Sequence, residues 1–412
     1  MRSVSAAERS GGFDARLRVG VICDFREENW PSMELVADML LSSLQTDHSD
    51  DIEATRIQPA MKMRFAKLRQ DKNGHSGNGR LHANGTRFNA DRVLNRFWHY
   101  PRYLQSRQTD FDLFHLIDHS YAQVLHSLPP ERTIVTCHDL DTFQCLLNPA
   151  GEPRSLLFKK MVNRTLTGLR KAARVICVSE ATRDELLAHG LVDADRAVVI
   201  PNGVHEMCSP NPDPDADGEL NRQLGSGESI DILHVGSTIP RKRIDILLRV
   251  FAKLTEQFPN ARLLRVGGNL TDKQSRLMHD LGVAESVVQL PQLDRRTLAA
   301  VYRRAAIVLL PSEREGFGLP VVEAMACGTP VVASDLPVLR EVGGDSAAYC
   351  PLGDVDAWTK TISSLLQERE KRPEPWAQTR SAGLAQAAKF SWAEYACQTA
   401  NVYRSVLTEA EG

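Results

Sequence analysis

The 412-residue sequence contains no apolar run long enough to span a bilayer and no CxxC pair. The first absence argues against a transmembrane helix. The opening, MRSVSAAERSGGFDA, has no apolar core of the kind a secretory signal needs. The eight cysteines, at 23, 137, 145, 177, 208, 327, 350 and 397, stand apart, most of them inside apolar runs such as VGVICDF and RVICVSE. That placement suits small core thiols in a reducing compartment, not a disulfide framework or a structural zinc site. Charge of one sign is missing too: 50 basic against 52 acidic residues give a net charge of −2, which argues against a general nucleic-acid binder. Neither a repeat nor a low-complexity segment is present. Together these absences predict a cytoplasmic protein.

What is present is alternation. Short apolar runs such as LRVGVICDF, FDLFHLI, RTIVTCHD and RVICVSE alternate with amphipathic segments such as SMELVADMLLSSL and SYAQVLHSL, both read as helices. Near-continuous apolar strands separated by helices predict a parallel sheet covered on both faces. The Pro-, Asp- and Gly-rich stretch SPNPDPDADGELNRQLGSGES reads as a loop at a boundary. After it the alternation restarts with IDILHVGS and ARLLRVGGN, and continues to AIVLLPS and PVVASD. The expected fold is α/β, with two doubly wound Rossmann-like domains facing across a cleft. The predicted divisions are a leader over 1–16, a first domain over 17–203, a second over 204–390, and a final helix over 391–412 packing back on the first. Ligands of such sheets bind beyond the carboxyl ends of the strands, so two facing sheets form a site between them.

Three constellations fall at predicted strand ends. The stretch PSEREGFGLPVVEAMACGTPVVASD sets Glu315 in a glycine-broken loop and Glu323 in the helix that follows. Pro320 suits the first position of that helix and Gly328 its far end, so Glu323 is expected in the first turn. Glycines admit close approach, and a helix N-terminus favours phosphate. Acids flanking an N–H cradle suit a ligand with an anionic middle and hydroxylated ends, which is the form of a sugar nucleotide. HVGSTIPRKRID places cations before a helix, where they serve the helix less well than an anion. RTIVTCHDLDTF ends a buried strand at His138, whose side chain is expected to project into the cleft.

EGFGLPVVEAMACGTPVVASD resembles, through a whole strand–helix–strand unit, the E-x7-E motif of the family 4 (group 1) retaining glycosyltransferases, which have the GT-B fold. The resemblance runs from residue 17 onward and is strongest over 231–353. It implies a catalytic position for Glu315 near the donor sugar and a ribose-binding role for Glu323. The amides of Gly316, Phe317, Gly318 and Leu319 would meet the donor's sugar and phosphate. Lys242 matches the family's diphosphate lysine. The family's arginine position holds Ser237, and Arg241 or Arg243 is expected to supply the charge, or Ser237 to hydrogen-bond a phosphate oxygen. His138 falls where the family often has a histidine close to the donor sugar's leaving group or hydroxyls, which implies a catalytic place for it, and Leu290 stands near the nucleotide base, with Pro291 where a glycine is usual. On the acceptor side fall Ser32, His119 and Asp139; Pro31 and Ser32 replace paired glycines. Ser179 and Glu180 are expected to cap a helix.

The resemblance implies transfer of a sugar from a nucleoside-diphosphate sugar to a glycan or lipid-linked saccharide, with no cofactor and no metal. No DxD followed by a strand argues otherwise. The alternatives are a non-catalytic sugar-nucleotide binder or an epimerase on the same fold. Residues 61–107 hold eleven Lys or Arg against Asp71 and Asp91, interleaved with Met61, Phe65, Phe97, Trp98, Tyr100 and Tyr103. That mixture suits an anionic membrane surface as well as it suits a solvated loop. No nucleic-acid motif accompanies it.

Overall fold

A computed structural model describes residues 16–66, 85–225 and 229–411. The leader, the cations Lys67, Arg69, Lys72 and Arg80, and Asp71 lie outside the described residues. The first unit runs β1 (Leu17–Ile22), α1 (Pro31–Asp47), β2 (Ile52–Ile57), α2 (Thr86–Leu94), α3 (Tyr100–Gln105), β3 (Leu113–Leu116), β4 (Thr133–Cys137), α4 (Gln144–Leu147), α5 (Leu156–Leu169), β5 (Arg174–Cys177), α6 (Glu180–Ala188) and β6 (Ala197–Val199). The second opens with α7 (Pro214–Leu224), β7 (Ile230–Val235), α8 (Ile244–Gln257), β8 (Ala261–Val266), α9 (Asp272–Asp280), β9 (Val287–Leu290) and α10 (Arg295–Arg304). It continues with β10 (Ile307–Leu310), α11 (Leu319–Ala326), β11 (Val331–Ser334), α12 (Pro337–Gly343), β12 (Ala348–Cys350), α13 (Val355–Lys371) and α14 (Pro373–Ala387). The last helix is α15 (Trp392–Glu411).

Each unit is a six-stranded sheet, ordered β2-β1-β3-β4-β5-β6 and β12-β11-β10-β7-β8-β9. All the pairings are parallel. Both faces of each sheet are buried: Val19 and Val21 of β1 pack on one side, while Ile22 of the same strand packs on the other. The chain reverses its direction of travel across the sheet between β1 and β3, and again between β7 and β10. These switch points are where strand-end loops part and leave a crevice. In the second unit the loops flanking the crevice are 236–243 and 311–318, which carry Lys242 and Glu315.

Several expectations are corrected. SYAQVLHSL is not an α-helix; His119–Ser127 winds as 3-10 helix, opened by Asp118, whose carboxylate accepts from the Ser120 N–H. The stretch read as a boundary loop contains α7, because Asp213 caps its first turn and Ala216 and Leu220 give it a buried face. Glu323 is the fifth residue of α11, past the first turn, since the helix begins at Leu319 with Pro320 second. Ser179 does cap α6, accepting from the Thr182 N–H at 3.1 Å. Glu180 instead pairs with Arg183, and its own N–H donates to Glu341 of the second unit.

Helix α15 lies on the first sheet, not the second: Trp392, Tyr395, Tyr403 and Val406 share one core with β1 and α1. The chain therefore passes between the units twice. The two crossings touch, with Val204 and Ser391 forming a parallel bridge and a Cβ at Gly203 leaving only 2.3 Å to the Trp392 nitrogen.

Candidate active site

Lys242 ends a short 3-10 turn, Pro240–Lys242, that follows β7, and Arg243 beyond it takes a left-handed conformation to start α8. The turn is anchored to the opposite loop by the Glu313 N–H, which donates to the Arg241 carbonyl at 2.8 Å. Lys242 Nζ reaches Glu315 Oε1 at 2.5 Å, and Arg241 Nη1 reaches Glu315 Oε2 at 3.3 Å. Burial alone would raise the Glu315 pKa, but Lys242 and Arg241 outweigh it and hold the carboxyl below its ordinary range.

The first unit closes on this cluster through the loop after β4. Arg241 Nε pairs with Asp141 at 2.6 Å and Nη2 with Asp139 at 3.5 Å, and Arg314 Nε pairs with Asp141 at 3.0 Å. Gly316 is pressed against the same loop, so a Cβ there would fall 1.5 Å from the His138 carbonyl oxygen. Its own carbonyl accepts from Ser179 Oγ at 2.8 Å and Thr182 Oγ1 at 3.2 Å. Among the described residues, the N–H groups of Gly316, Phe317, Gly318 and Leu319 donate to no protein acceptor. Four unpaired donors at a helix start form an anion seat.

The remaining sequence candidates divide. His119 is buried beside this loop, its Nε2 3.7 Å from Asp139 and its Nδ1 accepting from the His138 N–H at 3.3 Å. The His138 ring is buried and held at the end of β3, with Nε2 2.8 Å from the Ile117 carbonyl oxygen, and among the described residues its Nδ1 makes no hydrogen bond. Burial lowers its pKa. Phe317 packs inward on Phe390 with ring centroids 5.5 Å apart, and Leu290 belongs to the core, so only their backbones can face a ligand. Ser237 is exposed, as is Ser32 in the first turn of α1. Glu323 is brought to a different partner, accepting from Tyr302 Oη at 2.8 Å, and burial raises its pKa. No polar contact joins it to the Lys242–Glu315 pair.

Sequence reading missed Arg314, Asp141 and Tyr302. Asp141 stands two residues after Asp139, in the same strand-end loop, and that spacing was the available signal. Of the segment proposed to face a membrane, Tyr100 is a core residue whose hydroxyl donates to the carbonyls of Cys23 and Ile57. Arg96 is also turned inward, paired with Glu28 at 3.2 Å. Phe65 and Trp98 do face outward, at 52% and 54% exposed. Among the described residues no helix is long and apolar enough to cross a membrane.

Two facing parallel sheets with a charged seat at the second switch point define the GT-B class. The comparisons agree with that class. Residues 217–381 match the model of glycosyl transferases group 1, and residues 64–206 match that of glycosyltransferase family 4. The O-antigen chain mannosyltransferase B of Escherichia coli is 30% identical over 278 residues, covering 66% of this chain and 70% of that protein. The D-inositol 3-phosphate glycosyltransferase of Mycolicibacterium smegmatis is 37% identical over 233 residues, 54% of this chain and 50% of its own length. Among solved structures, sucrose-phosphate synthase from Thermosynechococcus elongatus superposes with a TM-score of 0.73 at 21% identity, covering 96% of this chain and 100% of that one. Anabaena HepE, solved with UDP-glucose, gives 0.68 at 18% identity, covering 95% and 100%. The chain belongs to the group 1, or family 4, glycosyltransferases.

Proposed function

We propose that the protein transfers a hexose from a nucleoside-diphosphate sugar to a hydroxyl of a glycan or lipid-linked saccharide, with retention and without a metal ion. The observation that carries this reading is the Lys242–Glu315–Arg241 cluster at the second switch point, beside four unpaired amides and opposite the His138–Asp141 loop. A departing diphosphate needs compensation of its developing charge, and fixed amides with a lysine supply it without reorganisation. Glu315, held ionised, orients donor sugar hydroxyls; Glu323 accepts from the ribose. His138 Nδ1 and Asp139 line the acceptor side. The acceptor attacks on the face the diphosphate leaves, the new glycosidic bond forming as the bond to the diphosphate breaks, and the diphosphate takes the acceptor's proton. The mannosyltransferase and UDP-glucose relatives support a sugar-nucleotide donor and a polysaccharide setting.

The acceptor side also carries a membrane-facing surface in this reading. Phe65, Trp98, Arg64 and Arg102 would meet an anionic bilayer, together with Leu156 at the start of α5, which is 80% exposed. A lipid-linked acceptor would then arrive at the mouth of the cleft.

The test is acceptor-dependent release of nucleoside diphosphate over a panel of UDP-, GDP- and ADP-sugars, with the product's anomeric configuration read by NMR. Lys242→Ala and Glu315→Gln are each expected to cut release by on the order of 100-fold, the scale of losing one transition-state charge partner. Chelator should leave the rate unchanged. Turnover equal to the parent in both folded variants would remove the assignment.

A further inference from the structure

Arg265, on β8, is fully buried, yet among the described residues no carboxylate lies within ion-pair distance of it. Its guanidinium is spent on backbone: Nη2 donates to the carbonyls of Gly236 at 3.1 Å and Gly267 at 3.4 Å, and Nη1 to that of Gly268. Its Nε has no partner. The two loops it joins follow β7 and β8 at their carboxyl ends, and they touch, since a Cβ at Gly267 would lie 2.3 Å from the Gly236 oxygen. Gly267 and Gly268 take φ of 118° and 95°, a run that only glycine holds without strain.

A trans peptide points its N–H opposite its C=O. Drawing the carbonyls of residues 236, 267 and 268 onto Arg265 therefore turns the N–H groups of Ser237, Gly268 and Asn269 away from it. Among the described residues none of these three donates to a protein acceptor. The neighbouring cations are already paired with carboxylates of the protein. Lys242 and Arg241 are matched to Glu315, Asp139 and Asp141, and Arg243 is matched to Asp245 and Glu313. Ser237 brings none. Beside Arg265, His234 is fully buried with both ring nitrogens unpartnered, so no acid balances the guanidinium from that side either.

We propose that Arg265 is a positioning residue for the donor diphosphate: it staples two glycine loops by their carbonyls, presents the opposed amides of residues 237, 268 and 269 to phosphate oxygens, and holds a positive charge that only a bound anion balances. This rests on the sugar-nucleotide reading of the same crevice. Burial lowers its pKa to about 10, which leaves it charged at neutral pH. An uncompensated charge in a low-dielectric floor acts on a nearby phosphate far more strongly than a solvated one.

The experiment titrates the full chain, Arg265→Met, Arg265→Lys and Lys242→Ala with GDP and UDP and with GMP and UMP by calorimetry, alongside each variant's melting midpoint. Arg265→Met is expected to weaken the binding diphosphate by at least about tenfold, the scale of a charge-assisted interaction, and the monophosphate much less. Arg265→Lys should recover part of the loss, keeping the charge without the fork. Diphosphate affinity unchanged in Arg265→Met, or an equal loss for both nucleotides that Lys does not relieve, overturns the proposal. If Arg265→Met does not fold, the diphosphate-to-monophosphate ratio of Arg265→Lys decides, and an unaltered ratio overturns it. A loss in Lys242→Ala alone leaves the sugar-nucleotide reading standing, whereas no loss in any variant, or no binding by the parent chain, removes that reading as well.

Discussion

At the scale of single residues, the electrostatics of Glu315 and the steric limit at Gly316 both have measurable consequences. The Glu315 carboxyl is held below its ordinary value of 4.5, so its pairing stabilises the fold fully above that value and is lost as pH falls through the lowered one. Glu315→Gln should therefore unfold more easily than the parent at pH 7, by about 3 kcal/mol, because two cations lose their buried partner. The gap between the two denaturation curves should close in acid below 4.5. A gap of constant size across that range would contradict the ion-pair account. Gly316→Ala is a different kind of change: its methyl group has 1.5 Å to the His138 carbonyl oxygen, so the loop or the whole unit must retreat. Destabilisation of at least about 2 kcal/mol is expected from denaturant unfolding, the usual consequence of overpacking a closed contact.

Among elements, the second unit was the more legible in sequence. β10 and β11 are almost wholly apolar and β7 and β8 mainly so, and Pro320 and Gly328 bracket α11 as end signals should. Elements that depend on tertiary burial were not legible. β2, IEATRI, alternates polar and apolar because its position at the sheet edge leaves Glu53 exposed, and β6 is three residues long. The α7 helix hides in a Pro- and Asp-rich stretch because those same residues serve as its cap and first turn. For the site, motif spacing located Lys242 and Glu315, while their neighbours Arg314 and Asp141 come from separate units and meet only across the crevice. Arg265 and His234 could have drawn notice as charged or polar residues within apolar strands, although sequence gives no way to tell a paired one from an unpaired one. The basic segment yields a test at this scale. Phe65→Ser with Trp98→Ser is expected to reduce flotation with vesicles of mixed phosphatidylcholine and phosphatidylglycerol several-fold, as two interfacial aromatics are lost. Equal flotation by parent and double variant would count against a bilayer-facing role.

For the whole molecule, the buried histidines His115, His138 and His234 contribute to the response to acid. Burial lowers the pKa of His115 to about 3 and lowers those of His138 and His234 too, with Arg265 and Lys242 adding to the effect at His234. Each stays neutral in the fold but takes up a proton when unfolded, so stability falls as pH drops below 6.5. Asp24, whose carboxyl is raised well above its ordinary range by burial, works in the opposite sense at lower pH. Replacing His234 by Phe should reduce the slope of unfolding free energy between pH 6 and pH 5 by about 1.4 kcal/mol per unit, one proton's worth. An unaltered slope would mean that His234 titrates alike in both states. The double passage of the chain between the units has a mechanical corollary. Because Val204 and Ser391 run side by side, the two halves are joined by a two-ply strap in place of a single tether, and twisting about that strap is easier than pulling it apart. Helix α15 covers β1 and α1, so loss of that helix would be felt far away in sequence, in the first unit.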